Sequence, residues 1–144
     1  MDKELFAKFI HSISISTIQP TKIDVECLGA IPFVEQASLQ INWKMMYPKE
    51  QAFKIVDNIM QLAPMFEISL SYENQTIYSH KSIFQVLITI TEKDKFEELW
   101  NNEEVRTYFK DKQILKTLWP IVRQQVLDGL SRLSLPPISL PWIM

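Results

Sequence analysis

Phe66, Ile68, Leu70 and Tyr72 alternate with Glu67, Ser69, Ser71 and Glu73. A side-chain period of two puts one set on each face of an extended strand, and a chain with several such stretches must build a sheet with at least one covered face. The same period recurs in Leu39, Ile41, Trp43, Met45 and Tyr47, with Ser38, Gln40, Asn42, Lys44 and Met46 pointing the other way. Ile13 and Ile15, then Ile23, Val25 and Cys27, also alternate, with Pro20 marking a bend or an edge position. Glu73-Asn74-Gln75 reads as a turn leading into a long strand from Thr76 to Thr91, where a slip in period at Ile83-Phe84 predicts a bulge. Gly29 to Ala37 has no clean period and reads as a connection. Four strands in succession predict an antiparallel meander.

The rest is helical in pattern. Leu5, Phe6, Phe9 and Ile10 predict a short N-terminal helix. Pro48 at a first helical position, followed by Phe53, Val56, Ile59 and Met60, predicts an inserted helix from Pro48 to Leu62. Phe96, Leu99 and Trp100 form one stripe in an acidic stretch, and Leu115, Leu118, Trp119, Val122, Val126, Leu130 and Leu133 form another on a longer helix. Pro120 falls inside that pattern and predicts a kink or a restart. The ending, Leu135 to Met144, is too rich in proline for a helix or a central strand.

The chain has 144 residues, 47% hydrophobic and 22% charged, which suits one folded domain spanning 1–144. A formal net charge of −2 with scattered lysines leaves no basic patch for nucleic acid. Two glycines, Gly29 and Gly129, are too few and too distant for a phosphate-cradling loop or a nucleophile elbow. Cys27 is the lone cysteine, which forbids an intrachain disulfide or a cysteine zinc cage and reads as a small buried hydrophobe. His11 and His80 have no second ligand at metal spacing, so both read as structural or surface residues. Nothing positive marks a Ser/His/Asp site, so the chain reads as a non-enzyme without metal or cofactor. Asp2, Glu4 and Lys8 break up any signal-peptide core, and no apolar run approaches the roughly 20 residues of a membrane span. A cytoplasmic protein without membrane insertion is expected.

The segments Leu118-Trp119-Pro120-Ile121-Val122-Arg123, Leu130-Ser131-Arg132 and Leu135-Pro136-Pro137-Ile138-Ser139-Leu140-Pro141 resemble the SecB export-chaperone family, in which a similar aromatic-proline-apolar segment opens the main helix. Ile23 to Cys27 with Pro32-Phe33 also resembles the family's first strand and crossover, and Thr76 to Ile90 its fourth strand. Three departures stand out: the segment Pro48–Leu62, the N-terminal helix, and an ending at Met144 before the second helix and acidic tail of the chaperones that serve SecA. The resemblance implies an α+β, SecB-like domain: a four-stranded antiparallel sheet with a long C-terminal helix packed on one face, plus short N-terminal and inserted helices.

The resemblance also implies an ATP-independent holdase that binds unfolded polypeptide, such as preproteins for export, through an exposed apolar groove. Ile138, Leu140, Trp142 and Ile143 would form one wall and Ile31 and Phe33 the other, with Trp43 and Met46 as further contacts. The bland alternative makes the ending a strap over the domain's own core. Gly129 in the main helix points either to a helix–helix interface, with Trp119, Val122 and Val126, or to an ordinary helix-on-sheet contact. The resemblance favours a homo-oligomer, a dimer or a dimer of dimers such as a homotetramer. A SecA-type translocase and an antitoxin are the two further partners it suggests. The acidic residues Glu92 to Glu104 read as a solvated helix face. The rival readings are a dedicated antitoxin chaperone and, from another class, a small-ligand-binding protein using the same cleft.

Overall fold

The computed structural model describes residues 1–29, 39–48 and 53–133. Helix α1 (Lys3–His11) is started by Asp2, whose Oδ1 accepts from the backbone N–H of Glu4 at 2.9 Å and of Leu5 at 3.3 Å. Six strands follow: β1 (Ile13–Cys27), β2 (Gln40–Met46), β3 (Phe53–Val56), β4 (Ile59–Leu62), β5 (Met65–Tyr72) and β6 (Gln75–Ile90). Helices α2 (Lys93–Trp100), α3 (Glu103–Tyr108) and α4 (Ile114–Arg132) complete the described chain, with a π-helical turn, Phe109–Gln113, leading into α4.

All six strands form one antiparallel sheet around β6. One edge of β6 is paired along nearly its whole length by β1. Its other edge is shared, with β5 against Gln75–Ile83 and β4 against Val86–Thr89. Strands β2 and β3 then extend the sheet beyond β5 and β4. The expected four-stranded sheet is therefore corrected to six strands.

The additional pair occupies most of the expected Pro48–Leu62 helix. Phe53-Lys54-Ile55-Val56 and Ile59-Met60-Gln61-Leu62 form a hairpin, paired from Phe53–Leu62 to Val56–Ile59. Apolar spacing of three and four fits this segment, but β-branched Ile55, Val56 and Ile59 favour extended backbone. Asp57, at φ 56°, turns the chain with Asn58. The turn before β6 uses positive φ at both Glu73 (49°) and Asn74 (65°), the requirement of a two-residue hairpin whose twist matches its strands.

The bulge expected at Ile83-Phe84 is also relocated. Burial alternates without a break along β6 from His80 to Ile90. The extra residue sits across from it in β1, between Pro20 and Lys22, where proline at a sheet edge costs no ladder donor. A second irregularity in β1 lies between Ile15 and Thr17, and β6 shifts against β5 near Ile77.

Helix α4 covers one face of the sheet with Leu118, Trp119, Val122, Val126 and Leu130, all buried. It runs through Pro120 without a break. Trp119 packs on Phe66 (6.5 Å between ring centroids) and on Trp43 (4.9 Å). A second aromatic cluster joins α1 to α2 and the π-helical turn, where Phe9 stacks on Trp100 at 5.7 Å and meets Phe109 edge-on at 5.2 Å.

Candidate polypeptide-binding surface

The face of the sheet opposite α4 is built by the positions that alternate with the core. The strand register sets these residues in rows. Met46, Met65 and Ile83 form one row across β2, β5 and β6, with Lys22 of β1 at its end. The next row reads Lys44, Glu67, Lys81 and Asp24, alternating in sign across four strands. Lys44 Nζ lies 3.2 Å from Glu67 Oε2, and Lys22 Nζ lies 3.3 Å from Asp24 Oδ2. A third row holds Asn42, Ser69, Ser79 and Glu26. A depression of about 360 Å³ lies over the polar rows, between Asn42, Lys44, Glu67, Ser69, Ser79 and Lys81.

On the far side of the methionine row the same face carries Leu87, Ile59 and Val56. Val56 is 54% exposed. None of Met46, Met65, Ile83, Leu87, Ile59 or Val56 belongs to the buried core or packs against it. The result is an apolar band, interrupted by Gln85 between Ile83 and Leu87 and by Gln61 beside Leu87, next to a charged ladder. Methionine and isoleucine supply adaptable contact for varied side chains, and alternating charge suits a polar backbone.

The second open feature is β1. It pairs with β6 alone, so its other edge carries no strand among the described residues. Beside that edge, a groove of about 470 Å³ runs between β1 and the end of α4, lined by Ile23, Val25, Gln125, Asp128, Gly129, Arg132 and Leu133. Ile23 is 50% exposed although its face of β1 points to the α4 side.

Six of the client-binding candidates, Ile31, Phe33, Ile138, Leu140, Trp142 and Ile143, lie outside the described residues. Trp43 stands on the edge strand β2, 37% exposed, with its ring against Trp119, so it is a rim residue of the core. Met46 is half-buried on the opposite face, in the apolar band.

The four residues expected at an oligomer interface, Trp119, Val122, Val126 and Gly129, are buried in the chain's own core, which leaves their side chains no area to offer a second copy. A Cβ on Gly129 would come within 2.7 Å of Tyr78 Oη and 3.2 Å of Val25 Cγ1, so the glycine serves a close helix-on-sheet approach. Cys27, expected to be buried, is exposed at the end of β1, where its Sγ contacts the Gly29 carbonyl at 3.2 Å. The acidic residues from Glu92 to Glu104 are exposed, as a solvated face requires.

Buried tyrosines tie the sheet to the helices. Tyr47 Oη donates to the Lys110 carbonyl at 2.7 Å, linking the end of β2 to the π-helical turn, and burial with Asp111 nearby strongly disfavours its ionisation. Burial pushes the Tyr78 hydroxyl up to about 12. His80 is held below its ordinary value by burial, with Gln125 acting in the opposite direction. No cluster of three or more His, Cys, Asp and Glu residues with metal-binding geometry occurs among the described residues. No helix among them is long and apolar enough to cross a membrane.

Of the apolar band, sequence reasoning named Met46 alone; Met65, Ile83 and Leu87 stand where alternation assigns a polar face, and Val56 and Ile59 were read as part of a helix stripe. The signal was present in Ile83-Phe84 and Val86-Leu87-Ile88, apolar on both faces of one strand.

This topology is that of the SecB-like chaperones, an α+β domain with an antiparallel sheet and a long C-terminal helix. A solved structure with this fold is the Mycobacterium tuberculosis SecB-like chaperone Rv1957 in complex with a ChAD peptide from the Rv1956 HigA1 antitoxin. It superposes with a TM-score of 0.76 at 16% identity, over 99% of this chain and 98% of that one. No protein-family profile matches the chain, and no curated protein does.

Proposed function

We propose that this chain is an ATP-independent holdase that takes non-native polypeptide onto the apolar band of its open sheet face. The observation that carries the reading is the Met46–Met65–Ile83 row, continued by Leu87, Ile59 and Val56, outside the core of a SecB-like fold. Unfolded clients share apolar side chains and free backbone, and a broad, adaptable apolar surface recognises both without a fixed motif. Ile31, Phe33, Trp43, Ile138, Leu140, Trp142 and Ile143 are proposed to extend this surface. Release follows mass action or transfer to a partner, for export a SecA-type translocase.

Light scattering of a reduced, unfolded client tests the reading. Suppression of aggregation near one binding unit per client is expected, and loss of suppression in an Ile83→Ser, Leu87→Ser double variant assigns it to this face. Unchecked aggregation with the wild-type protein refutes the holdase reading.

A second reading, the dedicated chaperone of one antitoxin, draws support from the antitoxin peptide held by the M. tuberculosis protein. One dominant partner on affinity capture, against many preproteins, separates the two. A bound metabolite in native mass spectrometry, with no effect on clients, would instead favour a small-ligand protein.

Self-association is proposed through β1, whose free edge can pair with a second copy about a two-fold axis. An antiparallel register centred on Ile23 sets each copy's Lys22 beside the other's Asp24. A single-chain mass in solution overturns this assembly.

A further inference from the structure

The face of β6 beneath α4 is apolar at Tyr78, Phe84, Val86, Ile88 and Ile90, but two polar residues interrupt it. His80 is 1% exposed and Ser82 is fully buried. His80 stands between Val25 of β1 and Ile68 of β5, and Ser82 between Ile23 and Phe66. Above them α4 crosses from Trp119, over Phe66, to Gly129, over Tyr78 and Val25. Gln125 lies between these two contacts on α4 and acts on the ring of His80. Both ring nitrogens of His80, Ser82 Oγ and Gln125 Oε1 are buried without a well-formed hydrogen bond among the described residues, although the Gln125 side chain lies close enough to His80 to favour its charged form and offset part of the burial effect. Such atoms are costly to leave unmade, and a charge placed there costs more.

The surrounding charges do not compensate. On β1, Lys22, Asp24 and Glu26 alternate to the opposite face of the sheet, as do Glu67 of β5 and Lys81 of β6. On the α4 side, β1 contributes Cys27 and β6 contributes Tyr78, whose ionisation burial disfavours. Helix α4 contributes Lys116, Arg123, Asp128 and Arg132. Asp128 is its one carboxylate, exposed and bonded to Gln124 Nε2 at 3.0 Å. No ion pair to His80 occurs among the described residues.

We propose that His80 is an acid-sensitive latch for α4: the neutral ring lets the helix sit on the sheet, and the protonated ring lifts its C-terminal half. Lifting uncovers Tyr78 and Val126 and joins them to the groove at Ile23, Val25 and Leu133. The sign follows from linkage. The unfolded histidine takes its proton as pH falls through about 6.5, while the buried ring resists it, so the unfolded or lifted state binds more protons. The closed state is therefore fully stable above about pH 6.5 and loses stability as pH falls below it. The sequence has one other histidine, His11, exposed on α1, and substitution of each histidine in turn separates the two.

The latch needs no client, so its test stands apart from the holdase reading. Amide exchange across Val122–Gly129 and the ring-proton resonances of His80 are followed in the full chain from about pH 7.5 to about pH 5. After correction for intrinsic exchange, the expected result is roughly tenfold loss of protection, reversible and with the same midpoint as the ring titration. The His11→Gln variant should keep the transition and His80→Phe should abolish it. Where His80→Phe does not fold, the wild-type data decide alone. A flat exchange profile, a ring that titrates with α4 still protected, or a transition that persists in His80→Phe overturns the latch.

Discussion

On one side of β6, Tyr78, Phe84, Val86, Ile88 and Ile90 disappear beneath α4 and its neighbours; on the other, Lys81, Ile83, Gln85, Leu87 and Thr89 stay half-open. The two faces differ less in residue type than in what covers them. Ile83 and Leu87 are as apolar as Val86 and Ile88, yet only the second pair joins the core. Apolar residues on an uncovered face weaken solubility and do little for the fold, so their presence calls for an occupant. The closed face accounts for stability, and the face left open among the described residues is the one proposed to bind.

Substitutions on the two faces should therefore have separable effects. The largest is expected at Trp119→Ala, which removes the ring shared by Phe66 and Trp43 and should destabilise the fold by about 3–5 kcal/mol in denaturant titration. A loss below about 1 kcal/mol would mean that α4 is not seated on Phe66. Next comes Gly129→Ala. The helix gains about 1 kcal/mol in propensity, but the new methyl meets Tyr78 Oη and Val25, and crowding of this kind costs about 1–3 kcal/mol. A net loss is expected, and pairing it with Tyr78→Phe should recover part of it, since the contact at 2.7 Å is to the hydroxyl. Absence of recovery would place the strain at Val25.

On the open face the Ile83→Ser, Leu87→Ser pair should leave thermal stability within a few tenths of a kcal/mol per site while weakening client binding, measured by light scattering. A large stability loss would make this face a second core and remove the contrast. The smallest effect is expected for Lys44→Ala. Its ion pair with Glu67 is largely exposed and should contribute less than about 1 kcal/mol, diminishing with salt.

Much of this arrangement was legible in the residues. Alternation in Phe66–Tyr72 and Thr76–Thr91 located β5 and β6, and the stripe from Leu118 to Leu130 located α4. The hairpin Phe53–Leu62 was misread because apolar residues at spacings of three and four fit a helix, whereas in the hairpin Val56 and Ile59 share one face and Met60 takes the other. Asp57-Asn58 between β-branched neighbours was the better guide. The four α4 residues expected at an interface are buried within the chain, because a helix stripe reports that something covers it without saying whether that is the chain's own sheet or another copy.

Periodicity and side-chain chemistry are local, so the residue pattern located β5, β6 and α4 and the positions in them that leave water, but not the short hairpin Phe53–Leu62 or the exposure of Cys27. Tertiary structure alone decided how many strands share β6, that α4 covers its own sheet, and that His80 and Ser82 lie beneath that helix. Strand order and register join residues far apart in the chain, so no local pattern encodes which face of a doubly apolar strand is filled from within.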